Sequence, residues 1–169
     1  TADAQHDTAQ QKFGASAMLF DGTGDYLATS ATSSDFSFGT GDFTIAFWVR
    51  FSTVSANQSI ILNRNGPVNT EWWIGLQASS KFSFNTGAAQ RILGSTTPSA
   101  DTWYHVAFTR SGTDLYLFLD GVSDATSVTN SDDFNQDNVC YVGGNDNQGA
   151  GNLNGWLDEI LVVKGTALW

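Results

Sequence analysis

The sequence has one cysteine, few charged residues and no long apolar run, and each shortage excludes a class of protein. Cys140 is the only cysteine, so no internal disulfide can form, and its neighbours Val139, Tyr141 and Val142 predict a buried, inert thiol in a strand. Only 14% of the 169 residues are charged, against about a quarter in an average soluble domain. Ser, Thr, Asn and Gly supply the polar surface instead, which suits strands and turns better than helices. No apolar run approaches the ~18 residues of a membrane-spanning helix, so we expect no membrane partner.

The charges that are present are mostly negative. The formal net charge is −10, with 7 Lys and Arg against 17 Asp and Glu. Proteins bind phosphate backbones through Lys and Arg, so this balance argues against nucleic acid as a partner. The excess of Asp has two interpretations that composition leaves open: turn formation with solubility, or oxygen ligands for a hard cation such as calcium.

Apolar residues alternate with other residues along several segments, which is the period of a β-strand. In segment 43–51 the apolar residues on one face are Phe43, Ile45, Phe47, Val49 and Phe51. Asp120–Gly121 lies between two alternating runs and predicts a two-residue hairpin, because a type I′ turn needs positive φ at both central residues. Many short strands without a helical pattern predict an all-β sandwich or barrel.

The chain reads as a single folding unit. Its hydrophobic fraction of 41% is enough for one core, and neither a repeat nor a change in composition divides it. We interpret residues 1–16 as a polar lead-in segment and residues 17–169 as the domain. The part of the lead-in from Gln10 to Ser16 could equally be an ordered edge segment.

Five segments, in order, resemble the motifs of one family of β-sandwiches. They match the patterns FDG..DYL, GDFTI.FWV, W.HVA, LY.DG and G.IDE, and are Phe20–Leu27, Gly41–Val49, Asp101–Ala107, Leu117–Gly121 and Gly155–Ile160. The set resembles laminin G-like jelly-roll domains of the concanavalin A-like lectin/glucanase superfamily, to which pentraxins are related. This resemblance implies an all-β, two-sheet antiparallel jelly-roll sandwich. The Thr-, Asp- and Gly-rich character is also similar to modules of phage tail and virion proteins.

The resemblance further implies a structural calcium site. In such domains the strands that carry Asp21 and Asp158 are neighbours, and in a number of them a calcium ion lies nearby. Asp21 and Asp158 are therefore the candidate metal ligands, with backbone carbonyls of residues 39–42 completing a shell of about six to eight oxygens. The alternative is that Asp21 forms a turn and Asp158 accepts backbone N–H groups.

Two loops are the candidate ligand-binding elements by similarity to pentraxins, where an acidic and amide-rich run before the last strand binds calcium and calcium binds the ligand. The matching run here is residues 143–152, with Asn145, Asp146 and Asn147, and the expected partner loop is residues 63–71, with Asn69 and Glu71. This chain has fewer carboxylates there than pentraxins have, which favours direct hydrogen bonds to hydroxyl groups. The alternative is a flexible surface loop.

Trp72 and Trp73 are adjacent, so in a strand they point to opposite faces. We expect one to be buried in the core. The other would lie beside the 63–71 loop and stack on the apolar face of a sugar ring. The alternative is that both pack in the core.

These features favour binding over catalysis. Glu71 and Glu159 are the only Glu residues, and the chain lacks the cluster of strand carboxylates that retaining glycosidases need. We therefore expect no enzyme but a non-catalytic carbohydrate-binding module, extracellular or on a virion surface, with a glycan or polysaccharide as partner and calcium as cofactor. The alternatives are a virion decoration or tail module that contacts other virion proteins or its own copies, and a glycan hydrolase or lyase.

Overall fold

The computed structural model describes residues 3–54, 57–64, 71–77, 79–87, 89–144 and 151–169. These residues form fifteen strands and a short 3-10 helix, Ser34–Phe36. The strands are β1 Gln5–Asp7, β2 Ala17–Asp21, β3 Leu27–Ala28, β4 Phe43–Phe51, β5 Gln58–Asn63, β6 Trp72–Gln77, β7 Lys81–Thr86, β8 Ala89–Leu93, β9 Trp103–Ser111, β10 Asp114–Leu119, β11 Val122–Ser123, β12 Val128–Thr129, β13 Cys140–Val142, β14 Gly151–Asn152 and β15 Asn154–Lys164. Within these ranges, none of the helical structure has the length and apolar character needed to cross a membrane.

The strands form two sheets that pack face to face. The first sheet has the order β1-β2-β15-β4-β9-β10-β11, with β12 beside β10. The second sheet has the order β3-β13-β5-β6-β7-β8, with β14 beside β5. The pairings are antiparallel except that of β14 with β5. The predicted two-sheet antiparallel sandwich is confirmed.

The core lies between the sheets and contains the residues whose alternation predicts the strands. The second sheet contributes Trp72, Ile74 and Leu76 to it. The first sheet contributes one face of β4, which is fully buried: Phe43, Ile45, Phe47, Val49 and Phe51. Each such side chain contributes about 1.5–3 kcal/mol by leaving water, so the aromatic-rich inner faces hold the two layers together.

The predicted hairpin turn is present between β10 and β11. Asp120 and Gly121 have φ angles of 50° and 80°, and Leu119 pairs with Val122 across the turn. Both central residues are thus in the left-handed region, as a type I′ turn requires.

The described part of the lead-in, residues 3–16, is packed on the first sheet. β1 pairs with β2. Asp7 Oδ2 accepts a hydrogen bond from Trp156 Nε1 at 2.8 Å. Asp158 Oδ2 accepts hydrogen bonds from the backbone N–H groups of Lys12 and Phe13 at 2.9 and 3.0 Å.

Candidate functional site

The outer face of the second sheet, which points away from the core, carries an unusual set of side chains. Residues opposite each other in an antiparallel ladder share a face. One row of such partners runs across β13, β5, β6 and β7, and consists of Tyr141, Leu62, Trp73 and Asn85. The next row consists of Ser59, Gly75 and Ser83. These residues, together with Gln77, are called the outer face below.

The two adjacent tryptophans divide between the core and the outer face. Trp72 stacks on Phe38, with 5.2 Å between ring centroids, and its Nε1 donates to Phe36 O at 2.9 Å. Trp73 lies outside the core cluster and pairs with Asn85. Of the two predicted candidates, Trp73 is the one on a face that a ligand could use.

The Trp73 indole comes close to Gly75, where the absence of a side chain leaves room for it. A Cβ atom at Gly75 would be 3.1 Å from Trp73 Cζ3 and 2.2 Å from Gln58 O. The Arg64 guanidinium lies over the indole, 5.7 Å from the ring centroid. Trp73 is 5% exposed, so a ligand that stacks on the indole must take the place of the groups now over it.

In the described part of the outer face, four polar atoms are buried without a hydrogen-bond partner from the protein. They are Ser59 Oγ, Trp73 Nε1, Gln77 Oε1 and Asn85 Oδ1. Leaving such an atom unsatisfied costs about 1–3 kcal/mol. Unpaired buried polar atoms are uncommon in proteins, and four on one sheet face indicate a surface adapted to something other than stability.

The strand end beside Trp73 carries the predicted ligand residue Glu71. It is 3% exposed, and its Oε1 accepts a hydrogen bond from Asn138 Nδ2 at 2.9 Å. A small cavity of about 100 Å³ opens next to this pair and is lined by Thr32, Arg64, Asn138, Val139 and Tyr141. Glu71 therefore positions Asn138 at the edge of the outer face.

The other predicted loop residues, Asn69, Asn145, Asp146 and Asn147, lie outside the described residues. Described residues next to both loops pair along β5. Asn63 pairs with Cys140 at one end, and Gly151 pairs with Gln58 at the other. Between these ends, Gly143 N donates to Ile60 O at 2.8 Å. The placement of the four loop residues therefore stays a prediction.

The predicted metal ligands Asp21 and Asp158 lie on paired strands but not side by side. Asp21 pairs with Asn154, which is four residues before Asp158 and therefore about 13 Å away along β15. Two ligands of one calcium ion are at most about 5 Å apart. Asp21 Oδ1 accepts from Thr23 N at 2.6 Å, and Asp158 Oδ2 accepts two N–H groups of the lead-in. The pair does not fit one calcium ion, and both carboxylates act as backbone acceptors.

The backbone carbonyls expected to complete the metal shell already bind a cation of the chain itself. Gly39 O and Gly41 O accept hydrogen bonds from the guanidinium of Arg110. Within the described ranges, no three His, Cys, Asp or Glu side chains are grouped as metal ligands. Arg110 thus supplies, at this place, the positive charge that the sequence interpretation assigned to calcium.

Melting the protein with calcium and with EDTA tests the calcium prediction. A ligand that binds only the folded state raises the melting temperature through a stabilisation of RT ln(1 + [L]/Kd). Because Asp21 and Asp158 are engaged with backbone donors, we expect the same melting temperature in both solutions. A higher melting temperature in calcium would contradict this, and Asp21→Asn and Asp158→Asn would then show whether these carboxylates hold the ion.

His105 lies on the outer side of the first sheet, away from this site. Its ring is 5.3 Å from that of Trp48 and 5.6 Å from that of Trp169. Burial lowers the pKa of His105, and the nearby Asp120 carboxylate opposes that shift. A histidine between two aromatic rings packs on the surface of the sheet.

The fold defines the class of protein, and the sequence places the chain within it. The family model of the concanavalin A-like lectin/glucanases superfamily, of laminin G type, matches residues 21–168. The chain belongs to this superfamily as a laminin G-like jelly-roll domain. Comparison with curated protein sequences finds no match.

Several solved structures are similar to the chain. Domain 4 of AbnA, an extracellular GH43 arabinanase from Geobacillus stearothermophilus, was solved with arabinotriose; it is 16% identical, with a TM-score of 0.77 over 98% of this chain and 77% of its own. Domains LG4-5 of the mouse laminin alpha1 chain are 18% identical, with a TM-score of 0.65 over 94% of this chain and 41% of theirs. The heptameric SAP-like pentraxin of Limulus polyphemus is 14% identical, with a TM-score of 0.63 over 85% of this chain and 73% of its own. At these identities the similarity shows the fold.

Proposed function

We propose that the chain is a non-catalytic carbohydrate-binding module whose ligand occupies the outer face around Trp73. The observation that carries this proposal is the set of four buried, unpaired polar atoms on the outer face, one of which is the indole nitrogen of Trp73. A sugar offers the complement: an apolar ring face for the indole, and hydroxyl groups that both donate and accept hydrogen bonds.

The chemistry of the outer face suits a neutral sugar in detail. Trp73 Nε1 can only donate, Gln77 Oε1 and Asn85 Oδ1 can only accept, and the Ser59 hydroxyl can do either. Hydroxyl groups satisfy all four atoms without any charge on the ligand. The presence of arabinotriose in the similar arabinanase domain supports this class of ligand.

Affinity at a single site is expected to be modest. The ligand loses well-ordered hydration, and it must replace the Arg64 guanidinium on the indole before it can stack. Several copies on one particle, or several modules in one protein, would convert weak sites into strong attachment. Such use fits an extracellular setting or a particle surface.

A glycan array at high protein density, with and without calcium, tests the proposal directly. Trp73→Phe keeps an aromatic ring but removes Nε1, so we expect it to lose binding while remaining folded. The control is Trp72→Phe, which removes a hydrogen bond inside the core; it should lose stability and keep its binding. Folded wild-type protein that binds no glycan in either condition would overturn the proposal.

Ser59 and Ser83 pair with Gly75 from its two neighbouring strands, and their variants test ligand binding and stability separately. Ser59 and Ser83 are both fully buried on the outer face, but Ser83 Oγ donates to Gly75 O and accepts from Asn85 Nδ2, at 3.3 and 2.9 Å, whereas Ser59 Oγ is unpaired. We expect Ser83→Ala to lower the free energy of unfolding by about 1–2 kcal/mol, and Ser59→Ala to leave it unchanged or raise it.

Calorimetric unfolding and a glycan titration of both serine variants check this prediction. Ser59→Ala should bind more weakly than the wild type although it is at least as stable. If it loses as much stability as Ser83→Ala, its hydroxyl belongs to the scaffold, and the outer face is not built for a ligand.

A second candidate function is an assembly module of a virion or other particle. The observation that favours it is a group of exposed apolar residues on the outer side of the first sheet, with Phe13 50%, Leu168 51% and Trp169 42% exposed. Size measurement by light scattering distinguishes the two functions. A stable oligomer that Leu168→Ser dissociates, together with an empty glycan array, would favour assembly.

A further inference from the structure

A second cavity opens between the edges of the two sheets, and its lining is apolar, unlike the outer face. Its volume is about 390 Å³. The second sheet lines it with Leu27, Ile61, Cys140 and Val142, and the first sheet with Ile160 and Val162. Leu27 and Ile160 are each 39% exposed and lie at its mouth, so the cavity is accessible from solvent.

The cavity exists because the strands at this side of the sandwich do not cover one another. The pairing of β15 with β2 covers residues 154–157 of β15. Just beyond this stretch the register shifts between Asp158 and Leu161, and Glu159 takes a φ of 48°. This bulge turns Ile160 toward the space between the sheets. On the opposite side, β3 contributes only two residues, so neither sheet closes the gap.

The side chains that line the cavity are almost all apolar. Among the described residues that line it, Thr29 has the one hydroxyl group, and this is already used: Oγ1 donates to Ala31 O at 2.9 Å and accepts from Cys140 N at 3.1 Å. Burial raises the pKa of the Cys140 thiol to about 12, so the sulfur is neutral at ordinary pH. A charged or strongly polar ligand would lose its hydration here without gaining a partner.

We propose that this cavity binds an uncharged, hydrocarbon-rich small molecule. Its volume is more than twice the ~150 Å³ of an apolar protein cavity that takes up benzene, and it lies within the ~300–1,000 Å³ range of small-molecule sites. Removing such a ligand from water is favourable at about 25 cal/mol per Å² of apolar surface, with no polar penalty from this wall. The site is independent of the outer face and of its sugar.

Two dyes with the same aromatic frame test this specificity. N-phenyl-1-naphthylamine is uncharged, and 1-anilinonaphthalene-8-sulfonate adds one sulfonate. We expect the uncharged dye to show saturable fluorescence at one site per chain, with a Kd at least tenfold lower than that of the sulfonate. Absence of saturable binding, or equal binding of the two dyes, would overturn the proposal.

Variants locate the bound dye. Val142→Phe places a ring in the cavity and should weaken binding at least tenfold, whereas Leu168→Ser, on the exposed apolar group of the first sheet, should leave it unchanged. The opposite pattern would assign the dye to that surface and sink the proposal.

Methyl NMR of the wild-type protein, titrated with the uncharged dye, also shows where the dye binds and needs no mutation. Saturable shifts should be confined to Leu27, Ile61, Val142, Ile160 and Val162. Shifts at Leu168, or no shifts at these five residues, would contradict the proposed site even if Val142→Phe fails to fold. Failure here leaves the carbohydrate proposal untouched, because no residue is shared.

Discussion

Replacement of Arg110 by Met is expected to lower the free energy of unfolding by about 3–5 kcal/mol, a loss typical of breaking a buried charged network. Arg110 is 1% exposed. Its guanidinium donates to Gly41 O at 2.8 Å, to Asp132 O at 2.9 Å and to Gly39 O at 2.6 Å. Methionine fills a similar volume but leaves these carbonyls without a donor.

The effect should be large because Arg110 joins segments that are distant in the chain. It extends from β9 to the turn before β4 and to the segment that carries Phe134, whose backbone pairs with Gly39. The guanidinium also lies 5.4 and 4.7 Å from the ring centroids of Phe43 and Phe134. Burial lowers the pKa of Arg110, but Asp42, Asp132 and Asp133 oppose the shift. An arginine guanidinium stays charged at neutral pH.

Arg50→Met is the matched control, because Arg50 is also a strand arginine beside an aromatic ring. It pairs with Asp101 at 2.8 Å, but the Asp101 side chain is 68% exposed. Solvent screens such a pair, so we expect a loss of about 1 kcal/mol or less. Urea unfolding of both variants measures the difference. Equal losses would mean that Arg110 does not hold these segments together.

The sequence predicts the fold well where one face of a strand is uniformly apolar. The alternation in β4 and the Asp120–Gly121 turn depend on local rules, namely a period of two and positive φ at both turn positions. These rules involve only residues that are close together in the chain, so they can be applied to the sequence alone. The pairing of β2 with β15 followed from the family resemblance, and neither the resemblance nor the alternation gave its register.

The candidate site was harder to predict, since it depends on partners far apart in the sequence. The alternation of β7 does contain a local signal, because Phe82 and Phe84 face the core and Ser83 and Asn85 face outward. Nothing local shows that Ser83 has a partner while Ser59 has none. Arg110 is a similar case: its carbonyl acceptors lie about 70 residues earlier and 22 residues later. The laminin G-like resemblance placed the carbonyls of residues 39–42 in a calcium shell, whereas Gly39 O and Gly41 O accept hydrogen bonds from Arg110.

Replacement of Asn63 by Leu is expected to raise the free energy of unfolding by about 2 kcal/mol. Asn63 is 1% exposed and lies on the core side of β5, opposite Trp72 and Cys140. Both its Nδ2 and its Oδ1 are without a hydrogen-bond partner. Leucine has nearly the same shape and needs no hydrogen bonds, so the exchange removes two unsatisfied groups without leaving a cavity.

Asn130→Leu is the control, because it makes the same exchange at a buried asparagine with both amide groups paired. Asn130 is 6% exposed; its Nδ2 donates to Asp132 Oδ2 at 2.9 Å and its Oδ1 accepts from Asp132 N at 3.2 Å. We expect this variant to lose about 1–3 kcal/mol, opposite in sign to Asn63→Leu. Thermal unfolding of the two variants measures both signs. If Asn63→Leu is instead destabilising, the Asn63 amide has a partner in solution, such as a buried water. If it is stabilising, the chain retains a costly polar group on the core side of β5, opposite Trp72 and Cys140.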